Sequence, residues 1–320
     1  MKYNLRYSLR YTIIAALFCA FQASEARASE LSSLDSEYSP VFSPDIPGSV
    51  ALCGKKVELD RNDMYERFDR ELTSLIYSHG STLLMLKRAN KYFPVIAPIL
   101  KTNGMPLDMV YLACIESTLD PRAYSPAKAA GLWQFMPATA KQYGLEVSDE
   151  VDERYNVEKA TEAACRYLMK AYEKYHDWAT VMASYNAGMN RISTELDKQI
   201  SDNTFDLYLN PETSRYVFRI MALKTLMENP GAYGYHLEPE QFYRKTECRT
   251  VKVSTPVEDW ATWAKEQGIS YAQLKEENPW IRSRSLTNKA GKTYEMKIPL
   301  KDSLYRSKQE VKVYDKNWVK

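Results

Sequence analysis

The stretch Met109-Val110-Tyr111-Leu112-Ala113-Cys114-Ile115-Glu116-Ser117 decides how this chain is read. It is apolar on every side until Glu116, so a helix through it carries one carboxyl group into a largely dry environment. Pro106-Leu107-Asp108 opens that helix, and Asp120-Pro121 places its end before the proline, because the residue preceding a proline avoids the α region. A desolvated carboxyl has a raised pKa and holds its proton near neutral pH, ready to give it to a leaving oxygen. Asp120 would face Glu116 only if the helix continued. Pro121 argues instead that Asp120 is a turn or capping residue.

Helical spacing surrounds this segment. Met64, Phe68, Leu72, Leu75 and Ile76 recur at intervals of three and four, and Leu83 to Leu100 continues in the same style, with Pro94 and Pro98 predicted to break or bend it. Pro121 to Gly131 reads as an irregular loop crossing a groove, Pro137 to Gln142 as a short helix closed by Gly144, and Asp149 to Asn156 as a polar loop. Further helices are predicted over about 157–175, 177–187, 189–200 and 211–228. Past Cys248 the pattern changes to strand, helix, helix, strand, ending at Tyr294-Glu295-Met296-Lys297-Ile298-Pro299. The fold class is therefore mainly α, with a small βααβ unit. The expected segments are a signal peptide at 1–28, an extended arm at 29–60, a helical domain at 61–247, the βααβ unit at 248–300 and a charged, mobile tail at 301–320.

Composition narrows the function. The 320 residues carry 43 basic and 41 acidic side chains, a net charge of +2 with no basic stripe, which speaks against a nucleic-acid partner. Lys2, Arg6 and Arg10 precede a short apolar run from Tyr11 to Phe21 and the small residues of Ala26-Arg27-Ala28, the pattern of a cleaved export signal. That run is too short to span a bilayer. Phe18 before Cys19 disfavours a lipid anchor there. Export to a periplasmic or cell-envelope compartment, with peripheral membrane or wall association, is the expectation. His79, His176 and His236 are scattered and no cysteine pair has ligand spacing, so neither a metal nor another cofactor is expected. Cys114 and Cys165 read as buried small residues, and Cys53 with Cys248 leaves a bridge open.

Only Glu116 is marked by the sequence as an acid of this kind, although Asp149, Asp152 and Glu153 occupy a loop that could fold back. A glycosidase ordinarily needs two carboxyl groups. With one, that group must first donate a proton and then take one back, and the nucleophile must come from the substrate. Peptidoglycan is one polymer with such groups, although spacing alone does not single it out: its muramic acid offers an acetamido oxygen beside C1 and a C6 hydroxyl that can close onto C1, an intramolecular attack needing little beyond orientation.

Glu116-Ser117, followed by Gly131-Leu132-Trp133-Gln134-Phe135-Met136-Pro137, Ser184-Tyr185-Asn186-Ala187-Gly188 and Glu212-Thr213-Ser214-Arg215-Tyr216-Val217, resembles the lytic transglycosylase branch of the goose-type lysozyme superfamily, in particular the membrane-bound lytic murein transglycosylase D type. The resemblance spans roughly 85–235, with Ser184 in place of the usual alanine and Asp120 where asparagine is common. It implies a lysozyme-like helical catalytic domain that cleaves the MurNAc-GlcNAc bond of peptidoglycan glycan strands and leaves a 1,6-anhydro end. Glu116 would be the acid and then the base, and Ser117 would orient the substrate or the carboxyl. Gln134, Tyr185 and Asn186 would contact the sugar, and Tyr216 would hydrogen-bond near Glu116. Val251-Lys252-Val253, Gly268-Ile269-Ser270, Leu274, Asn278-Pro279 and Lys297-Ile298-Pro299 are similar to a LysM module, with Ser254-Thr255-Pro256 replacing its usual Gly-Asp-Thr turn. Two rival readings stay open at this point: a hydrolytic muramidase using Asp120 or Asp152 to activate water, and a non-catalytic wall-binding protein. Oligomeric state leaves no mark in the sequence.

Overall fold

Alternating Val50, Leu52, Val57 and Leu59 turn one face of a short hairpin inward, and all four are buried. Its strands, β1 (Ser49–Leu52) and β2 (Lys55–Glu58), pair antiparallel from Ser49↔Glu58 to Leu52↔Lys55. Cys53 (φ 51°) and Gly54 (φ 81°) make the turn, both in the left-handed region that a tight two-residue hairpin demands. The end of the expected extended arm is thus paired structure, missed because the alternation covers so few residues. The computed structural model describes residues 42–308 and 310–319, so the expected signal peptide at 1–28 and the start of the arm lie outside the described residues.

Ten helices follow among the described residues. Helix α1 (Asn62–Tyr77) buries Met64, Phe68, Leu72 and Ile76. Helix α2 (His79–Thr102) runs unbroken through Pro94 and Pro98, contrary to the predicted breaks. Each proline removes a backbone donor at a cost of about 3 kcal/mol; burial of Leu86, Ala89, Phe93, Ile96, Ala97 and Leu100 offsets that cost. Helix α3 (Met109–Ser117) is the apolar stretch quoted above, with Met109, Val110, Leu112, Ala113 and Cys114 buried. A short α4 (Pro137–Gln142) has proline in its first turn, where no donor is missed.

All but one of the remaining helices start at side-chain caps. Asn156 accepts from the Lys159 amide at the head of α5 (Val157–Tyr175), Asp177 from Thr180 at α6 (Trp178–Ala187), and Asn210 from Thr213 at α8 (Pro211–Glu228). Helix α7 (Met189–Lys198) follows Gly188, whose φ of 87° turns the chain sharply after α6. Helix α8 buries Tyr216, Val217, Phe218, Ile220 and Met221 and packs against α1, α3 and α6.

The C-terminal unit comprises β3 (Cys248–Val253), α9 (Trp260–Glu266), α10 (Tyr271–Glu277) and β4 (Tyr294–Pro299), the strands pairing antiparallel from Cys248↔Pro299 to Val253↔Tyr294. Trp260, Leu274, Trp280, Met296 and Ile298 form its core, joined by Ala130, Val151 and Tyr155 from the helical part. The two cores therefore meet through the 130–155 segment. The tail, expected to be mobile, is docked over its described part. Trp318 is buried and donates its indole N–H to Met227 O at 2.7 Å, Tyr314 N–H reaches Asn90 Oδ1 at 2.7 Å, and Val319 bridges Leu237 in parallel. No helix among the described residues is long and apolar enough to cross a membrane. Cys53, Cys114, Cys165 and Cys248 are all free thiols. Cys53 sits in the hairpin turn, its amide on Asp108, whereas Cys248 opens β3 and its thiol bonds Thr246 O, so the bridge left open between them does not form.

Candidate active site

Helix α3 ends one residue after Glu116. Thr118 and Leu119 both adopt left-handed backbone (φ 54° each), an uncommon pair for non-glycine residues. Burial of Leu119 and capture of Thr118 O by Arg88 Nη1 at 3.0 Å hold that exit in place. Glu116 is left half-buried, and the Tyr216 hydroxyl of α8 donates to its Oε1. Desolvation is the largest influence on this carboxyl and pushes its pKa up to about 7. The Tyr216 hydrogen bond and the Arg219 charge work against that rise, while the Glu212 charge adds to it.

Tyr185, near the end of α6, donates its hydroxyl to Trp133 O at 2.7 Å and lies edge-on to Phe135 and Tyr167. Burial, then the Glu116 charge, raises the phenol pKa values of both Tyr185 and Tyr216, so both hydroxyls stay protonated as donors. Asn186 ties α6 to the head of α8, donating to Glu212 Oε1 at 3.2 Å and accepting from Thr213 Oγ1 at 2.9 Å. Gln134 has φ 48° and donates its amide to Gly131 O at 2.8 Å and Ala123 O at 3.3 Å. Its backbone neighbours Trp133 and Phe135 are the residues that Tyr185 touches. Glu116, Tyr185, Asn186 and Tyr216 are thereby brought to one place, and Gln134 is tied to it through the loop.

Ser117 stands apart. It is buried, and its hydroxyl donates to Ala113 O at 3.1 Å within its own helix, a use that points it away from orienting a ligand. The rival acids are also engaged elsewhere. Asp120 pairs with Arg88 at 3.4 Å and accepts from the Arg122 amide at 2.9 Å. Buried Asp152 pairs with Arg154 at 2.7 Å, and buried Glu153 accepts from the Glu146 amide at 2.8 Å and from Lys159. Glu71, fully enclosed on α1, collects Arg215 at 2.7 Å, Arg70 at 2.9 Å and Arg219 at 3.5 Å. Sequence reasoning passed over Glu71, Arg219 and Arg154, because each acts through a partner distant in the chain. Among the described residues no cluster of three or more His, Cys, Asp or Glu could hold a metal ion. A cavity of about 680 Å³ between α2 and the C-terminal unit, lined by Tyr92, Tyr155, Trp280 and Lys297 among others, includes none of the six candidate residues.

A single half-buried carboxyl with a raised pKa, held by a tyrosine on a helical scaffold, is an arrangement suited to acid catalysis. Residues 94–207 match the family described as Transglycosylase SLT domain, and residues 249–302 match the Soluble lytic transglycosylase C-terminal LysM-like domain. The chain thus carries an SLT transglycosylase domain followed by a LysM-like domain. Over 237 residues, 72% of this chain and 51% of the relative, it is 33% identical to Membrane-bound lytic murein transglycosylase D of Escherichia coli strain K12. The same figures hold for the protein of that name in E. coli O6:H1. The chain spans about half the length of these curated relatives. Among solved structures, the 70 kDa soluble lytic transglycosylase of E. coli superposes with a TM-score of 0.36 at 21% identity, over 48% of this chain and 27% of that one.

Proposed function

We propose that the chain is a peptidoglycan lytic transglycosylase. Glu116 gives its proton to the glycosidic oxygen as the bond from C1 of N-acetylmuramic acid breaks, which frees the N-acetylglucosamine hydroxyl. The acetamido oxygen shields C1, and the C6 hydroxyl then attacks C1 while returning its proton to Glu116. No water is consumed, and a 1,6-anhydro end results. Tyr216 holds the carboxyl and stabilises its charged form between the two transfers, and Tyr185, Asn186 and Gln134 line the sugar's path. The observation that carries this reading is the single half-buried Glu116 carboxyl at the end of an apolar helix, held by the Tyr216 hydroxyl; its burial pushes the pKa up to about 7, which suits one group to serve as acid and then base near neutrality. The pairing of Asp120 with Arg88 and of buried Asp152 with Arg154 supports it, since both carboxylates are engaged by arginines.

The matched domain names and the 33% identity to a lytic murein transglycosylase support the same substrate, and an export route to the cell envelope follows from it. The LysM-like unit is assigned to the wall as well. Mass spectrometry of digested sacculi tests the proposal: the transglycosylase product is lighter than the hydrolytic one by one water. Glu116→Gln should lose about 10²- to 10⁴-fold in rate. A product carrying the added water, or a fully active Glu116→Gln, would overturn the assignment.

A further inference from the structure

Arg154 has no place in the chemistry above, yet it is 5% exposed and every nitrogen of its guanidinium is hydrogen-bonded. Nε and Nη2 form a fork on the Asp152 carboxylate at 2.9 and 2.7 Å. Nη1 donates to Lys128 O at 2.7 Å and to Phe135 O at 3.0 Å, two carbonyls that bracket the turn containing Gly131 and Gln134. The turn lies so close to Arg154 that a Cβ on Gly131 would sit 1.9 Å from the Arg154 carbonyl oxygen. A planar fork with five fixed donors can clip a carboxylate and two carbonyls together; an ammonium cannot.

The other side of this clip belongs to the C-terminal unit. Asp152 N–H donates to Trp280 O at 2.9 Å, Arg282 N–H donates to Glu150 O at 2.8 Å, and Val151 bridges Ile281 antiparallel. Thr287 binds the Glu150 carboxylate through amide and hydroxyl, each at 3.1 Å, and Lys292 reaches Glu146 at 2.9 Å. Val151 and Tyr155 also enter the core of that unit. A binding module on a loose tether would not lend backbone hydrogen bonds to the segment it hangs beside.

We propose that Arg154 is a positioning residue for the loop that carries Gln134, and that the LysM-like unit is its outer anchor, so that this unit sets the rate of bond cleavage and not only affinity for the wall. This rests on the transglycosylase reading. The chain of contact runs from Trp280 and Arg282 to the 150–152 segment, through Asp152 and Arg154 to Lys128 and Phe135, and so to Gln134 and the carbonyl of Trp133 that holds Tyr185.

The test uses the full chain and soluble, uncrosslinked peptidoglycan strands, with anhydro-product formation read as kcat and KM. Loss of a tethered binder raises KM, whereas loss of a positioning contact lowers kcat. Arg154→Met should lower kcat tenfold or more with KM within twofold, and amide exchange at Ala130 and Gly131 should quicken while α3 and α8 stay protected. A folded Arg154→Met with kcat within twofold of the parent, or with only KM raised, overturns the proposal. Should that variant fail to fold, Arg282→Pro decides. It removes the backbone donor to Glu150 O at a residue whose side chain is exposed, and Arg282→Ala is its matched control. A threefold or greater fall in kcat relative to that control supports the anchor, and equal kcat sinks it. If the parent chain makes no anhydro product, the transglycosylase reading has failed, and the exchange comparison of Arg282→Pro with Arg282→Ala alone judges the anchoring.

Discussion

At Glu116, proton affinity is set by burial against three neighbours, and each can be moved separately. The free protein must hold the proton to begin the reaction, so kcat/KM should fall as pH rises through about 7. Tyr216→Phe removes a donor to the charged form and should carry that limb to higher pH; Glu212→Gln removes a repelling charge and should carry it lower. Rate–pH profiles of the three proteins check both directions. The same shift is written in stability. The folded pKa lies above the ordinary value of 4.5, so the native state binds the proton more tightly and stability declines as pH rises from about 4.5 to about 7. Above that window Glu116→Gln should be more stable than its parent by on the order of 1–3 kcal/mol, measured by urea unfolding at pH 8 and absent at pH 4. Glu116 was legible because one continuous apolar run leads into it, whereas Tyr185 and Tyr216, which pack around it from α6 and α8, come from far along the chain. Ser117 shares that run, but the sequence does not show that its hydroxyl turns back onto Ala113 O.

At the scale of elements, spacing predicted the helices well where one face is apolar, as in α5 and α8. It failed where long-range contact overrides a local signal. Pro94 and Pro98 signalled a break in α2 that burial of Phe93, Ile96 and Ala97 overrides. The charged tail concealed a docking residue, Trp318, whose pocket is assembled from Phe93, Phe242 and Met227. Trp318→Ala should cost about 3 kcal/mol and release the tail to proteolysis, read by limited digestion and thermal unfolding. The loop around Gly131 is under tighter constraint. Its φ of 77° and the 1.9 Å approach of any added Cβ to Arg154 O leave room for no side chain. Gly131→Ala should destabilise the protein by on the order of 4 kcal/mol, visible as a lowered Tm.

Across the whole molecule, the two halves look separable in sequence, since the strand pattern begins only after Cys248. The contacts argue otherwise. Ala130, Val151 and Tyr155 are core residues of the C-terminal unit, and Arg122, Glu146, Glu150 and Glu158 reach it by charge or hydrogen bond. With a shared interior, calorimetry should show one transition in which van't Hoff and calorimetric enthalpies agree, whereas an autonomous module would melt in its own peak. Nothing in composition announces such a seam, because its apolar members, Ala130, Val151 and Tyr155, are scattered singly through otherwise polar loops.

The four free cysteines among the described residues turn that seam into something that can be followed. Burial raises every one of their thiol pKa values, to about 11 at Cys165 and Cys248 and further at Cys53 and Cys114. Alkylating reagents attack the thiolate, so these four sites react slowly in the folded structure. As denaturant opens the structure, the sequence in which the sulfurs become labelled gives a map of its breathing: Cys248 marks the junction, Cys53 the hairpin, and Cys114 with Cys165 the deep interior.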